Sequence, residues 1–427
     1  MLGWFETGGR SFLTSILLAS GVMVAAGCAA SARNEMPTMA SACESGGRWI
    51  DPSTKQSLDP RTVFADLAKK DVVLLGEQHT ARDHHLWQAQ TIAGLRALLP
   101  DLVLGFEMFP RSVQPVLDEW TSGKLGRREF LSRSRWSEVW GYDPAFYMPM
   151  FDQARLNKNT MVALNVDRSL IAQVGREGWA SVSEKDRMGI TDPAPASASY
   201  RESLAKVFLA KMQHGGGKPA GEAAGAADKA APVTMESVLT SKPFDNFVQA
   251  QLTWDRAMAE ALAAAKEQNP KALVVGVMGR GHIDYGHGVP HQLADLGVEN
   301  VAVLVPVEAG EDCQTVPSDL ADAVFVVDPA TDTAVERPKP RLGVVIEAVE
   351  DGIRILRISR GSIAETAQLA EGDIVTSAAG VPVRRNGDLV EIIQRQAPGT
   401  WLPLDIKRGD DTLSVIAKFP PLPGAAR

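Results

Sequence analysis

The sequence has no excess of positive charge, few cysteines and, beyond its amino terminus, no long apolar run. Its formal net charge is −8, and no stripe of Lys and Arg interleaved with aromatic residues is present, which argues against nucleic acid as a partner. A share of 45% apolar residues is typical of a soluble globular protein and not of one embedded in a membrane. With 427 residues, the chain is long enough for about two to three domains.

One apolar run stands apart from this composition. Residues 11–26 are uncharged, follow Arg10 and end in small residues before Cys28, which is the pattern of a secretory signal peptide. Residues 25–28 (AAGC) resemble the bacterial lipobox, with alanine at the position where leucine is usual. An ordinary signal peptide and an uncleaved anchor are the alternatives to a lipoprotein.

We expect residues 1–27 to form the signal peptide and Cys28 to become the lipidated first residue, with residues 28–48 as a tether. Ala29 follows the cysteine, where a lipoprotein retained in the inner membrane more often carries aspartate. The predicted location is therefore the outer membrane, with the protein anchored by lipid and facing the periplasm.

The scarcity of cysteine limits the disulfides. Only Cys43 and Cys313 remain once Cys28 is lipidated, and an exported compartment permits a disulfide between them. We predict that they pair and tie the entry segment to the end of the first folded domain.

The chain is organised around residues 72–85. Four apolar residues bounded by Gly76 predict a strand buried on both faces, and Glu77 and His79 follow at once. Ligands of open α/β sheets bind beyond the carboxyl ends of the strands, so these two side chains lie where such folds place their chemistry.

Further apolar segments predict buried strands at residues 102–108, 160–167, 272–278 and 300–305. Helical patterns between them imply a mostly parallel α/β sheet with helical insertions over residues 49–327. The Gly- and Ala-rich passage within residues 191–243 predicts a mobile insertion with no packed structure at its centre. The tryptophan-rich passage 136–149 has too many prolines and aromatic residues for a regular element, and we expect it to cover something.

Polar side chains follow three of these other strands as well, namely Glu107, the pair Asn165 and Asp167, and His282. If the strands are parallel, these groups share one crevice with Glu77 and His79. Carboxylate and imidazole groups suit zinc, iron, cobalt and manganese, and a glutamate could instead serve as a general base for water. For each residue taken alone, a hydrogen-bonded structural role is the alternative.

Residues 281–291 follow the strand predicted at residues 272–278 and contain further histidines and Tyr285. A phenolate can be an axial ligand of haem iron, although a packing role for the ring is the alternative. His84 and His85 are adjacent and point about 100° apart on a helix, so at most one faces the crevice.

The pattern changes after residues 328–340, which are rich in proline and charge and predict a linker. Short strands around one helix then predict a small mixed β/α domain over residues 341–420.

The first domain resembles the ChaN family of haem-binding lipoproteins. The resemblance lies in residues 75–79 (LGEQH), 105–108 (GFEM), 254–255 (WD) and 279–282 (GRGH), in that order. Parts of it are shared with Tiki metallopeptidases and erythromycin esterases.

The resemblance implies an α/β core and haem binding linked to uptake, with metal-dependent hydrolysis in the Tiki branch. It makes His79, Glu107 and His282 the candidate metal positions and Glu77 the candidate catalytic group. Tyr285 and His85 are the candidate haem contacts.

The second domain resembles PDZ domains of the bacterial protease-associated type. Arg341, Leu342, Gly343 and Val344 match the carboxylate-binding loop, and residues 361–373 match the central signature. Such domains add a peptide as a strand to their own sheet edge, so the resemblance implies binding of a peptide or protein carboxyl terminus. A spacer or intramolecular lid with an empty groove is the alternative.

Three hypotheses follow for function. The first is a lipid-anchored, periplasmic haem- or iron-binding protein in haem or iron uptake, whose PDZ domain recruits a partner. The second is a hydrolase that holds a divalent metal such as Mn, Co or Zn at His79, Glu107 and His282, with Glu77 assisting water. The third is a scaffold in which these residues are structural. A homodimer is left open.

Overall fold

The computed structural model describes residues 43–214, 234–329 and 340–421. The predicted signal peptide, Cys28, the centre of the predicted insertion and most of the predicted linker lie outside these ranges. Within them, no helix is long and apolar enough to cross a membrane.

The first sheet is built from strands along the whole first domain. They are β1 (Arg48–Asp51), β2 (Gln56–Leu58), β3 (Val72–Glu77), β4 (Leu102–Pro110), β5 (Thr160–Asn165), β6 (Leu273–Gly279), β7 (Val301–Glu308) and β8 (Ala323–Val327). Their order is β2-β1-β8-β7-β3-β6-β4-β5, and the strands from β8 to β5 are parallel. Only β1 and β2 pair antiparallel to their neighbours.

The predicted mostly parallel sheet is confirmed, with β3 at its centre. The predicted strands at residues 72–75, 102–108, 160–167, 272–278 and 300–305 correspond to β3, β4, β5, β6 and β7. Sequence reasoning did not identify β1, β2 and β8. The first two have four and three residues, which is too short for a strand period to show.

Helices lie on both faces of this sheet. They are α1 (Pro60–Leu67), α2 (Arg82–Leu98), α3 (Gln114–Thr121), α4 (Arg127–Arg133), α5 (Trp136–Val139), α6 (Pro144–Asn157), α7 (Arg168–Glu177), α8 (Ala198–His214), α9 (Met235–Leu239), α10 (Lys242–Gln268), α11 (Val289–Asp295) and α12 (Glu311–Gln314). Short 3-10 turns occupy residues 111–113, 179–181, 184–186, 280–282 and 284–286.

The two faces of the sheet are covered by separate hydrophobic clusters. Val73 and Leu75 of β3 pack into one cluster, and Val72 and Leu74 pack into the other. Successive side chains of a strand point to opposite faces, so a strand covered on both sides needs an unbroken apolar run. This requirement explains the apolar run that marks β3 in the sequence.

Both ends of the predicted insertion, residues 191–243, are helical. Its flanks form α8 and α9, and Tyr200, Leu204 and Val238 from this region pack against α10. The prediction of no packed structure concerns only the centre of the insertion and stays a prediction. The centre of the insertion lies outside the described residues.

The tryptophan-rich passage also forms regular structure. It contains α5 and the start of α6, which carries Pro149 inside it. Asp143 caps α6 by accepting a hydrogen bond from the Ala145 N–H at 2.9 Å, and Pro144 occupies its first turn. An Asp-Pro pair at a helix start is a recognised signal, and the expectation of no regular element missed it.

The carboxyl-terminal domain has a sheet and a core of its own. Its elements are β9 (Val344–Val349), β10 (Gly352–Ile358), α13 (Ile363–Thr366), β11 (Ile374–Ala378), β12 (Val381–Pro382), α14 (Asn386–Gln394), β13 (Trp401–Arg408) and β14 (Asp411–Lys418). The strands pair antiparallel in the order β14-β13-β11-β10-β9, with β12 beside β11. This is the predicted small mixed domain, and β9 forms one edge of its sheet.

The predicted disulfide is present in the structure. Cys43 and Cys313 are bonded across 270 residues of sequence, with their Cα atoms 5.5 Å apart. Both side chains are buried in the cluster that covers one face of the sheet. The bond ties the segment before β1 to the segment between β7 and β8.

We expect the double variant Cys43→Ser, Cys313→Ser to be less stable than the wild-type protein. Closing so long a loop restricts the unfolded chain and is worth up to about 5 kcal/mol on a chain-entropy argument. Urea unfolding of the oxidised, reduced and variant proteins measures the loss. Two free thiols in the native, unreduced protein would contradict the pairing.

Candidate functional site

A crevice opens at the carboxyl ends of β3, β4 and β6. Its volume is about 620 Å³, and Glu77, His79, Glu107 and His282 all line it. Glu77 ends β3, Glu107 lies in β4, and His282 lies in the 3-10 turn that follows β6. Asn165 and Asp167, at and just after the end of β5, line the same crevice, so the structure brings together all six residues that strand-end reasoning selected.

His79 is held by a buried carboxylate. Its Nδ1 lies 2.7 Å from Glu77 Oε1, and the Tyr147 hydroxyl donates to the same oxygen at 3.0 Å. The second oxygen of Glu77 lies 2.7 Å from His85 Nδ1. Burial alone would raise the pKa of the Glu77 carboxyl, but its contacts with the two histidines hold that pKa below its usual value. Glu77 thus orients His79 from behind through its Oε1.

His282 is held in the same way on the opposite side. Its Nδ1 lies 2.6 Å from Asp255 Oδ1, and the Tyr200 hydroxyl donates to Asp255 Oδ2 at 2.8 Å. Its Nε2 lies 3.6 Å from Glu107 Oε1. Burial lowers the pKa of His282, but the charges of Glu107 and Asp255 outweigh burial and raise it to about 9.

Glu107 and Gly279 lie between the two imidazoles. The Gly279 N–H donates to Glu107 Oε2 at 2.6 Å. A Cβ atom at Gly279 would come within 2.8 Å of His79 Cε1, closer than van der Waals contact allows. Glycine at this position lets His79 and Glu107 approach the end of β6.

Aromatic and aliphatic side chains wall the crevice above these polar groups. The His79 ring lies 4.7 Å from the Trp140 ring and 5.1 Å from the Tyr142 ring, centroid to centroid. Other walls come from Met108, Val139, Val207, Phe247 and Trp254, and cationic side chains at the rim are Arg135, Arg168, Lys211 and Arg280. The expectation that the tryptophan-rich passage covers something agrees with this position of Trp140.

The two candidate haem contacts lie away from this crevice. His85 is fully buried, its Nε2 lies 3.2 Å from the His79 carbonyl oxygen, and its ring stacks on Phe146. Tyr285 is 39% exposed and does not line the crevice. His85 therefore supports Glu77 from within the core, and Tyr285 lies on the outer surface of its loop.

His84 does not face the crevice either. The Gln78 N–H donates to its Nδ1 at 3.0 Å, and burial lowers its pKa to about 4. Neutral His84 therefore accepts a hydrogen bond that fixes the turn after β3.

Sequence reasoning missed three groups that hold the site. Asp255 comes from α10, Tyr147 from α6 and Tyr200 from α8, all far along the chain from the histidines they support. Asp255 had a usable signal, since a carboxylate on the apolar stripe of a long helix needs a partner. The tyrosines had none.

The three candidate metal positions do not form a ready-made metal site. In the part of the chain that the structure describes, no group of three His, Cys, Asp or Glu side chains has the spacing to hold a metal ion.

The candidate peptide-binding loop lies at the start of β9. Gly343 has φ of +84°, and a Cβ atom there would come within 2.3 Å of Ser362 Cβ, so only glycine fits. Leu342 is buried in the domain core, and Val344 begins the edge strand β9. Arg341 precedes these residues and is exposed.

We expect the raised pKa of His282 to appear in the pH dependence of stability. The folded-state pKa of about 9 exceeds the usual value of 6.5, so protonation of His282 stabilises the fold fully below about pH 6.5. That contribution is lost as the pH rises through 9. Asp255→Asn should lower the His282 pKa by at least about one pH unit, because it removes one of the two nearby negative charges.

NMR titration of the histidine rings and urea unfolding at several pH values measure these effects. His84, whose pKa is lowered by burial and by Arg280 and His85 and is not affected by Asp255, serves as a control whose titration should not change. An unchanged His282 pKa in the Asp255→Asn variant would contradict the account.

Both domains match known protein families. Residues 63–293 match the family described as haem-binding uptake, Tiki superfamily, ChaN, and residues 340–418 match the PDZ domain family. A solved structure described as cofacial heme binding to ChaN of Campylobacter jejuni is 18% identical, with a TM-score of 0.50, over 66% of this chain and 97% of that one. At this identity the likeness shows the fold.

Two further relatives match the carboxyl-terminal domain. The HtrA3 PDZ domain bound to a phage-derived ligand is 22% identical over 19% of this chain and 84% of that one, with a TM-score of 0.18. A candidate serine protease, HhoA of Synechocystis sp., is 34% identical over 68 residues, which are 16% of this chain and 17% of the relative's length. The family match to the first domain spans more than half of the chain, and the protein therefore belongs to the ChaN haem-binding uptake family of the Tiki superfamily, with a PDZ domain after it.

Proposed function

We propose that the protein binds haem in the crevice at the ends of β3, β4 and β6 and acts in haem or iron uptake. The observation that carries the proposal is an apolar, aromatic-walled crevice of about 620 Å³ with two imidazoles at its base. Membership of the haem-binding uptake family supports it. When bound, haem would supply an iron centre that takes nitrogen ligands.

The donor groups of the crevice fit such a ligand. Both His79 and His282 use Nδ1 to contact a buried carboxylate, which leaves Nε2 as the nitrogen that would bind iron. The raised pKa of His282 means that its Nε2 must lose a proton before it can do so. Holding Nδ1 in this way fixes the ring orientation and raises the basicity of the other nitrogen. These two residues, and neither His85 nor Tyr285, are placed to act as ligands within the crevice.

The walls and rim fit the rest of a haem group. Trp140, Tyr142 and Trp254 offer aromatic surface to a flat apolar ring. Arg168 and Lys211 at the rim offer positive charge to carboxylates. The crevice thus combines an apolar wall, nitrogen donors and a cationic rim.

The cellular location of the protein and its recruitment of a partner are part of the same proposal. The lipobox-like sequence at residues 25–28 supports a lipid anchor, an outer-membrane location and a function that faces the periplasm. The free edge of β9 supports recruitment of a partner by its carboxyl terminus.

Haem titration followed by Soret absorbance tests the proposal. The wild-type protein should bind haem saturably, and His79→Ala and His282→Ala should each weaken binding at least about tenfold, a loss of about 1.4 kcal/mol. His291→Ala is the control, because its Nε2 contacts the Pro195 carbonyl oxygen outside the crevice lining. Circular dichroism checks that each variant folds.

The variant Tyr285→Phe tests whether haem binds in the crevice or on the outer surface of the loop. We expect this variant to bind haem as the wild type does. Loss of binding in Tyr285→Phe with retention in His79→Ala would move the haem site to the loop surface, and the absence of any Soret shift would refute haem binding.

A second candidate function is metal-dependent hydrolysis, as in the Tiki branch. The observation that favours it is the carboxylate behind each imidazole, which is the usual environment of a histidine metal ligand. To hold a divalent ion such as Mn, Co or Zn, His79, Glu107 and His282 would have to move from their present positions, which do not form a metal site. Glu77 would orient His79, since its Oε1 lies 2.7 Å from His79 Nδ1.

Elemental analysis of unchelated protein and peptide hydrolysis assays with added Mn²⁺, Co²⁺ or Zn²⁺ test this second candidate. Stoichiometric metal that is lost in Glu107→Gln, together with hydrolysis, would support it. Protein without metal and without metal-stimulated hydrolysis would refute it.

A further inference from the structure

One wall of the crevice is formed by residues 132–144, which we call the aromatic strap. Trp140 and Tyr142 of the strap pack on the His79 ring, at centroid distances of 4.7 and 5.1 Å. The Trp136 indole N–H donates to the Tyr142 carbonyl oxygen at 2.7 Å, which ties the strap together. A movement of the strap would therefore change the surroundings of His79.

The opposite side of the aromatic strap is in contact with the PDZ domain. The Arg385 guanidinium, next to the start of α14, donates to the Ser132 carbonyl oxygen at 3.0 Å and to Ser132 Oγ at 2.5 Å. Gly387 lies so close that a Cβ atom there would be 2.6 Å from Ser137 Oγ. The start of α14 therefore packs directly against the strap.

The strap and α14 are in contact at the start of α14 but are separated further along the helix. A cavity of about 300 Å³ separates the strap from the middle of α14, with Trp136 and Tyr142 on one side and Val390 and Gln394 on the other. This space lets the carboxyl-terminal half of α14 tilt toward the strap, while its first turn stays in contact with Ser137.

The same helix packs beside the edge strand β9. A peptide bound by a PDZ domain adds to this free edge as a further strand. Val344 and Ile346 of β9 and Ile392 of α14 are partly buried apolar residues against the domain core. They match a partner with an apolar carboxyl-terminal residue, whose carboxylate would meet the backbone at the left-handed Gly343.

We propose that a partner protein with an apolar carboxyl terminus binds between β9 and α14 and, through the aromatic strap, weakens ligand binding in the crevice. Side chains of the partner that enter beside α14 displace the helix toward the cavity and the strap. The strap then moves toward His79 and takes space from the crevice. The proposal rests on the proposed function for the identity of the crevice ligand, which is haem.

The coupling is tested on the full chain with decapeptides that end in Val, Leu, Ile or Phe. Each is used with a free carboxylate and, as a control, with a carboxyl-terminal amide. The haem dissociation constant is measured with and without a saturating peptide, and the peptide dissociation constant with and without haem. Linkage requires the two factors to be equal, and we expect each to be at least about fivefold.

The variant Arg385→Ala removes the two hydrogen bonds to Ser132 and should reduce both factors toward one. Arg384→Ala is the matched control, because the Arg384 guanidinium reaches the Glu350 carbonyl oxygen within the PDZ domain and not the strap. The control should keep the full coupling. Equal loss in both variants would assign the effect to damage to the PDZ domain and would overturn the proposal.

Hydrogen exchange provides a readout that needs no haem. Binding of a free-carboxylate peptide should alter amide exchange in residues 132–144 of the wild type and of Arg384→Ala, but not of Arg385→Ala. If the wild type shows this response without binding haem, the proposed function fails and the coupling stands. No saturable peptide binding, or bound peptide with unchanged strap exchange and unchanged or tighter haem binding, would overturn the proposal.

Discussion

The site depends on two carboxylates buried beneath histidines. Glu77 and Asp255 are almost inaccessible to solvent, and each accepts a hydrogen bond from a tyrosine as well as contacting an imidazole. Breaking a buried charge pair commonly costs about 3–5 kcal/mol, a large part of the about 5–15 kcal/mol by which proteins are stable. The histidines are therefore fixed before any ligand arrives, and their Nε2 atoms are the nitrogens left for one.

The fold explains why these groups meet. Parallel strands β3, β4 and β6 end at the same edge of the sheet, so the residues that follow them share one crevice. Helix α10 packs against this sheet and supplies Asp255, while α6 supplies Tyr147 and α8 supplies Tyr200. Strands thus position the groups that face the ligand, and helices supply the groups that hold them.

This division also decides what the sequence could predict. Glu77, His79, Glu107 and His282 follow recognisable buried strands, and their meeting needs only the parallel order of those strands. The tyrosines reach the site through helix packing between distant parts of the chain, which no local pattern records. Tyr285 and His85 were chosen by residue type, and the structure places one on the surface and the other in the core because chemical type alone does not give direction.

The central claim is that His79 and His282 present nitrogen donors to haem inside the crevice. Proton NMR of the histidine rings during titration with ferric haem tests this claim most directly, because the paramagnetic iron broadens only the rings near it. We expect the ring signals of His79 and His282 to disappear at one equivalent of haem while those of His291 stay sharp. Sharp signals from His79 and His282 in the haem-loaded protein would contradict it.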